Sequence, residues 1–170
     1  MSSFVSIQKA LQRAGVDYAV IGAHAVNAWV EPRFTSDFDI TVQAGQQALE
    51  RLEKVLAQEG LTAVAQEGAD QPAGPDFVRF TSRDGSIDLE VQIARTEFQS
   101  EAITRARTAG DLRVATPEDL IVMKLIAYRT KDRADLAGLV ELPDVDWDYV
   151  ERWAAEWDVS DRLARVRGGD

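Results

Sequence analysis

The sequence predicts an α+β fold in which a mixed β-sheet is flanked by helices and followed by a helical lobe. Short strand patterns alternate with helix patterns along the first half of the chain. Asp84-Gly85 joins two of the strand patterns, which is typical of a β-hairpin and makes the sheet partly antiparallel. From Thr116 onward the patterns are helical. We therefore expect an α/β core at residues 1–115 and a helical lobe at residues 116–170, packed together as one compact unit.

Apolar side chains at three- and four-residue spacing predict the helices. These lie at 3–14, 23–29, 46–59, 96–107, 116–140 with one break allowed, 146–157 and 160–166. Gly15 ends the first helix, and Glu31-Pro32 ends the second because the residue before a proline avoids helical dihedral angles. Thr116-Pro117 predicts a helix start, since it combines a capping threonine with a proline in the first turn.

Apolar runs and alternating patterns predict the strands. These lie at 18–21, 36–42, 61–65, 77–82, 86–93 and 112–115, the last as an edge strand or an extended link. Residues 66–75 are polar and contain two glycines and two prolines, so we expect a mobile loop there.

Composition excludes several classes of function. The 170 residues carry 19 Lys and Arg against 29 Asp and Glu, a net charge of −10, which argues against extended binding to duplex DNA. The chain has no cysteine and one histidine, which excludes thiolate zinc sites, cysteine nucleophiles and multi-histidine metal sites. Its apolar stretches are short and interrupted by polar residues, and its amino end lacks a leader pattern, so we expect a cytoplasmic protein without a membrane span.

Two strand patterns carry carboxylates on one face. Asp37 and Asp39 are two residues apart, so they share a face of their strand, and Asp88 and Glu90 repeat the pattern on a later strand. If the two strands are neighbours, Asp88 joins Asp37 and Asp39 in a site for Mg²⁺ or Mn²⁺, which prefer oxygen ligands. The alternative is a pair of half-exposed strands with acidic outer faces.

A small-residue turn precedes the acidic strand. The first strand runs into Gly22-Ala23 and then into a helix, an arrangement whose backbone N–H groups can bind phosphate. Small residues also serve close packing of a helix on a strand, and the full dinucleotide and Walker patterns are missing.

The order of these motifs resembles the nucleotidyltransferase superfamily with the polymerase-β-like fold. The segments that carry the resemblance are Ile21-Gly22-Ala23-His24, Arg33-Phe34-Thr35-Ser36-Asp37-Phe38-Asp39, and a Lys-and-Arg-Asp helix block from Thr116 to Leu136. They look like the minimal bacterial branch that includes the AbiEii-like and MenT-like toxins of toxin–antitoxin systems. The resemblance covers roughly residues 18–140.

The resemblance implies an activity and a set of site residues. The activity is Mg²⁺-dependent transfer of a nucleoside monophosphate from an NTP to a hydroxyl acceptor, either an RNA (tRNA) 3′ end or a protein side chain, with an antitoxin protein as a further partner. By resemblance Asp37 and Asp39 hold the metal, and Asp88 shares it and activates the acceptor. The residues assigned to the nucleotide are Gly22, Ala23, Arg33, Lys124 and Asp132. Ala23 stands where the family usually has Gly or Ser, so a hydroxyl that could bind phosphate is missing.

Several of these residues also have a structural interpretation. Lys124 lies on an apolar helix, so it either faces phosphate or pairs with a carboxylate. Arg33 either braces the triphosphate or neutralises Asp37 and Glu31. Asp132 belongs to a charge run that is ordinarily a solvated helix face.

His24 and the tryptophans have mainly structural interpretations. His24 is expected to make a local structural contact. A stripe at helical spacing is expected to pack in the core, with stacking on a nucleobase as the alternative; it comprises Trp147, Val150, Trp153 and Trp157.

Two other functions remain open at this point. The chain could be a catalytically silent nucleotide-binding module of a regulatory or antitoxin-like kind. It could also be a metal-dependent phosphohydrolase that uses the same acids with water as the acceptor.

Overall fold

The computed structural model describes residues 3–168 and contains eight helices and seven strands over that range. In chain order they are α1 (Ser3–Ala14), β1 (Asp17–Ile21), α2 (Gly22–Val26), β2 (Asp37–Gln43), α3 (Gln46–Gln58), β3 (Leu61–Glu67), β4 (Phe77–Ser82), β5 (Asp88–Ile93), α4 (Glu97–Arg105), β6 (Arg107–Ala109), β7 (Leu112–Val114), α5 (Pro117–Ala127), α6 (Thr130–Leu139), α7 (Trp147–Glu156) and α8 (Ser160–Gly168). None of the helices within this range is long and apolar enough to cross a membrane.

The seven strands form one mixed sheet in the order β3-β4-β5-β2-β1-β7-β6. The pairs β2–β5 and β1–β7 are parallel, and the remaining pairs are antiparallel. The α+β class with a mixed sheet and a helical carboxyl-terminal part is therefore confirmed.

Alternation along the central strands places the core. The apolar residues of β2 and β5 are almost fully buried, and the acidic residues between them face the other way; the buried set is Phe38, Ile40, Val42, Leu89, Val91 and Ile93. Because side chains alternate between the two faces of a strand, burial of one face leaves the carboxylates of both strands on the opposite face.

The strand predicted at 112–115 is neither an edge strand nor a link. β7 pairs with β1 on one side and with β6 on the other, so the sheet ends at β6. β6 has three residues, too few to show a two-residue repeat, and its first residue was predicted as the end of a helix. Gly110 adopts a φ of 60° in the turn between the two strands, which glycine tolerates without strain.

The helical segment predicted at 116–140, in which one break was allowed, forms two helices. Thr116 caps α5 as expected, since its side chain accepts a hydrogen bond from the N–H of Asp119. The helix ends at Tyr128, whose φ of 49° is left-handed, and α6 begins after Arg129. This break turns the start of α6 toward α5, so that the charge run of α6 meets Lys124.

Candidate active site

β2 and β5 bring the predicted carboxylates together. The two strands are parallel neighbours, and their register places Asp37 opposite Asp88 and Asp39 opposite Glu90. Neighbouring strands lie about 4.8 Å apart, so the backbones of Asp37 and Asp88 are adjacent. Asp37 and Asp88 are exposed, whereas Asp39 is half-buried.

Asp39 is held in an environment that disfavours its charge. Burial raises the pKa of its carboxyl to about 6, with further contributions from the negative charges of Glu90 and Asp37. Lys131 and Lys124 act in the opposite direction but do not cancel these effects. The acidic cluster therefore carries negative charge that the protein's own cations leave unbalanced.

The Gly22 turn lies directly against the acidic strand. Ile21 is the register partner of Asp39, and Gly22 follows with a φ of 64°. A Cβ added at Gly22 would overlap the Asp39 carboxylate. This turn therefore requires glycine for two reasons: its backbone conformation and the space that Asp39 occupies.

Lys124 lies between two buried aspartates. Its Nζ is 3.0 Å from Asp132 Oδ1 and 2.8 Å from Asp135 Oδ2. The aspartates continue the chain of ion pairs, because Arg129 Nε contacts Asp132 at 2.7 Å and Arg33 Nε contacts Asp135 at 2.8 Å. We call these five residues the charge network. It joins the loop before β2 to α5 and α6.

The network keeps its aspartates ionised. Burial alone would raise the pKa of Asp132, but hydrogen bonds from Arg129 and Lys124 outweigh it and the pKa is lowered. The pKa of Asp135 is lowered in the same way, with Arg33 and Lys124 opposing the effect of burial.

Arg33 pairs with Asp135 rather than with Asp37 or Glu31. Its guanidinium donates two hydrogen bonds to that carboxylate, and its backbone N–H and C=O both bond the side chain of Asn27. His24 makes a local contact as expected, with its ring 5.2 Å from the ring of Phe38. Burial lowers the pKa of His24.

Two clefts meet at the acidic cluster. The larger has a volume of about 930 Å³ and the smaller about 230 Å³. Six residues line both of them: Gly22, Asp37, Asp39, Lys124, Arg129 and Lys131. Asp88 and Asp132 line the larger cleft, and Ala23 and Arg33 line the smaller one. Every residue that the sequence proposed for the site therefore borders one cleft or the other.

Arg129 and Lys131 are cleft residues that the sequence did not single out. Both are exposed. The charge of Lys131 opposes the rise in the pKa of Asp39, and the charge of Asp39 contributes to the raised pKa of Arg129. Their signal was the charge run at the start of α6, which is ordinarily a solvated face. The break at Tyr128 directs this run into the cleft.

The carboxylates suit a hard divalent cation in chemistry and in backbone position. Their oxygen atoms are the ligands that Mg²⁺ prefers, and the pKa of Asp39 is raised by burial and, to a lesser extent, by the negative charges of Glu90 and Asp37. Within residues 3–168, however, no group of three or more His, Cys, Asp or Glu side chains is arranged so that it could hold a metal ion. Asp37 Oδ1 accepts a hydrogen bond from Ser36 Oγ at 2.8 Å, and Glu90 pairs with Arg79 at 3.1 Å.

Comparison with protein families identifies the family of this chain. The family described as "Nucleotidyl transferase AbiEii toxin, Type IV TA system" matches residues 10–141, which include both acidic strands, the Gly22 turn and the charge network. The chain belongs to this family. It is therefore a nucleotidyltransferase, an enzyme that uses an NTP, of a family of toxin–antitoxin toxins.

Solved structures agree with this AbiEii-family fold. JHP933 from Helicobacter pylori is 20% identical with a TM-score of 0.53, over 95% of this chain and 74% of that one. ANT(2″)-Ia, solved in complex with adenylyl-2″-tobramycin, is 17% identical with a TM-score of 0.53, over 98% and 93%. An antigenic nucleotidyltransferase-like protein from Paracoccidioides brasiliensis is 15% identical with a TM-score of 0.54, over 97% and 91%. A search of curated proteins found no match.

Proposed function

We propose that this AbiEii-family enzyme transfers a nucleoside monophosphate from an NTP to an acceptor hydroxyl in a Mg²⁺-dependent reaction. The observation that carries the proposal is the register of β2 and β5, which sets Asp88 beside Asp37, while Asp39 lies against the Gly22 turn. The family membership favours this enzyme over a catalytically silent module.

The proposed reaction forms one bond and breaks one bond at phosphorus. The acceptor oxygen attacks the α-phosphorus of the NTP, and the bond from that phosphorus to the oxygen that bridges to the β-phosphate breaks. Pyrophosphate leaves with the electron pair of that bond, and Asp88 takes the proton of the acceptor hydroxyl. Asp88 suits this role because it is exposed at the edge of the acidic cluster.

Asp37, Asp39 and Asp88 would hold the metal. When bound, Mg²⁺ would offset the charge that spreads over the transferred phosphoryl group. Register fixes the three backbones, so ligation would require the carboxylates to rotate, and Asp37 would exchange its hydrogen bond from Ser36.

We assign the triphosphate to the smaller cleft, which Gly22, Ala23, Arg33 and Lys124 border. The Lys124 ammonium has three donors and gives two to Asp132 and Asp135, so one remains for a phosphate oxygen. Asp132 would act by holding Lys124 and Arg129 in place. Arg129 and Lys131 supply further positive charge at the same cleft.

The proposed acceptors are an RNA 3′ end and a protein side chain, and the biological partner would be an antitoxin. Since NTPs are made and used in the cytoplasm, the same proposal places the enzyme there.

The test incubates the protein with α-labelled NTPs, Mg²⁺ and either total RNA or a protein extract. We expect label on a macromolecule, its loss on chelation of the metal, and its return with Mg²⁺ or Mn²⁺. Asp88→Asn and Asp39→Asn should each lower transfer at least about 100-fold, since metal positioning contributes several kcal/mol.

Asp111→Asn is the matched control, because Asp111 is exposed in the turn between β6 and β7 and borders neither cleft. It should transfer label like the wild-type protein. Release of free labelled nucleotide without any labelled macromolecule would indicate hydrolysis and overturn the proposal. Unchanged transfer by Asp88→Asn would overturn the assignment of the acids.

A further inference from the structure

The larger cleft continues past the acidic cluster to a second region. Along β5 the exposed face carries Asp88, Glu90 and Gln92, so the cleft floor changes from carboxylate to amide over about 13 Å. Glu90 is paired with Arg79, which separates the charged end from the region around Gln92. The chemistry of the two ends is therefore different.

Trp157 also borders the larger cleft, and it does not pack in the core stripe that the sequence predicts. Trp153 is 7% exposed, whereas Trp157 is 37% exposed and borders the larger cleft. α7 ends at Glu156, and Asp158 takes a left-handed φ of 55° that turns the chain away. Trp157 therefore leaves the buried stripe at the point where the helix stops.

An aromatic wall supports Trp157. The ring of Phe98 lies 6.4 Å from it in an edge-to-face arrangement, and Phe98 in turn contacts Trp153 at 5.2 Å. Phe98 is buried. These contacts fix a partly exposed indole at the cleft, the kind of surface on which planar groups stack.

Gln92 supplies a polar group in the same cleft as the aromatic wall. Its side chain is half-buried in the cleft and makes no hydrogen bond with any residue between 3 and 168. Such an amide offers one acceptor and two donors to a ligand. A stacking surface together with an amide that can both donate and accept matches the face and the edge of a nucleobase.

We propose that Gln92, Phe98 and Trp157 form a subsite for a nucleobase, which stacks on Trp157 and hydrogen-bonds the Gln92 amide. The inference rests on the proposed function for its choice of ligand. The base belongs either to the incoming NTP or to the terminal nucleotide of an RNA acceptor, and both sources present the same chemistry. The subsite is built partly from Trp157, which lies beyond the residues that the family comparison matched.

Binding without turnover tests the subsite. Calorimetry would titrate wild-type protein, Trp157→Leu and Gln92→Leu with each NTP, with inorganic triphosphate and with a ten-nucleotide single-stranded RNA of mixed sequence. We expect Trp157→Leu to weaken binding of a base-containing probe roughly 5- to 100-fold, the usual loss for one stacked base. Binding of inorganic triphosphate should not change, because it has no base.

Two further variants distinguish loss of base stacking from disruption of the fold. Trp157→Phe keeps an aromatic ring and should retain most of the affinity. Trp147→Leu is the matched control, since Trp147 is at the start of the same helix, packs against Arg167 and does not border the larger cleft. It should bind every probe like the wild-type protein.

The pattern of losses identifies the source of the base. Weaker NTP binding with unchanged RNA binding assigns the subsite to the donor nucleotide, and the reverse assigns it to the acceptor. Unchanged binding of both probes by folded Trp157→Leu and Gln92→Leu would overturn the proposal. Nucleobase binding that depends on Trp157 in a protein without transfer activity would leave the subsite standing and overturn the proposed function instead.

Discussion

Gly22 and Asp39 lie so close that no side chain fits between them. Gly22 has a φ of 64°, and a Cβ at this position would overlap the Asp39 carboxylate. The turn that would approach the triphosphate and the carboxylate that would hold the metal are therefore in direct contact, and a change in one must move the other.

Replacement of Gly22 by alanine tests this contact. A left-handed φ costs a residue with a Cβ about 1–2 kcal/mol, and displacement of Asp39 adds to that cost. In urea unfolding, we expect Gly22→Ala to lose more stability than this conformational cost alone. We also expect its transfer activity to fall at least about tenfold, since displacing a carboxylate near the reacting groups raises the activation free energy by one or more kcal/mol.

Gly15→Ala is the control for the backbone effect. Gly15 has a φ of 67° with open space around its Cα, so the variant pays the conformational cost without the overlap. Equal losses of stability in the two variants, with activity kept in Gly22→Ala, would contradict the close contact.

Asp39 should reduce stability while it serves the reaction. Because its pKa of about 6 lies above that of an aspartate in an unfolded chain, ionising Asp39 at pH 7 is less favourable in the folded protein than in the unfolded chain, by on the order of 3 kcal/mol. We expect Asp39→Asn to raise the urea midpoint of the metal-free protein at pH 7. Asp111→Asn, at an exposed turn, should stay within about 0.5 kcal/mol of wild type. A lower midpoint for Asp39→Asn would contradict the unbalanced charge.

Lys124 should be essential to stability whatever it contributes to nucleotide binding. Lys124→Met leaves Asp132 and Asp135 buried without their shared cation, which we expect to cost about 3–5 kcal/mol in urea unfolding. Arg167→Met breaks an exposed ion pair with Glu151 and should cost less than about 1 kcal/mol. A loss in Lys124→Met as small as that in Arg167→Met would show that the charge network does not hold α5 and α6 together.

The charge network should also make stability fall in acid. The pKa values of Asp132 and Asp135 are lower in the folded protein than in the unfolded chain. Their contribution is therefore complete above the unfolded value near 4 and is lost as the pH falls through the folded values. We expect the difference in unfolding free energy between wild type and Asp135→Asn to be large at pH 7 and to shrink at pH 3. A difference that is constant with pH would rule out the ionised pair.

Local patterns were sufficient for the elements that carry the chemistry. Alternation placed Asp37, Asp39 and Asp88 on the polar faces of two strands, and Thr116-Pro117 located the start of α5 correctly. The Gly22 turn was visible because a strand, a small residue and a helix follow each other directly. Each of these properties depends on a few neighbouring residues, so spacing along the chain is enough to find it.

The pairing of distant groups was beyond such patterns. That β5 lies beside β2 depends on the packing of all seven strands, and the partner of Arg33 is 102 residues away in α6. The short β6, the position of the break at Tyr128 and the departure of Trp157 from its stripe likewise follow from how the helices and the sheet meet. Which residue a side chain contacts depends on how the whole core packs. The spacing of residues along the chain does not determine these non-local contacts.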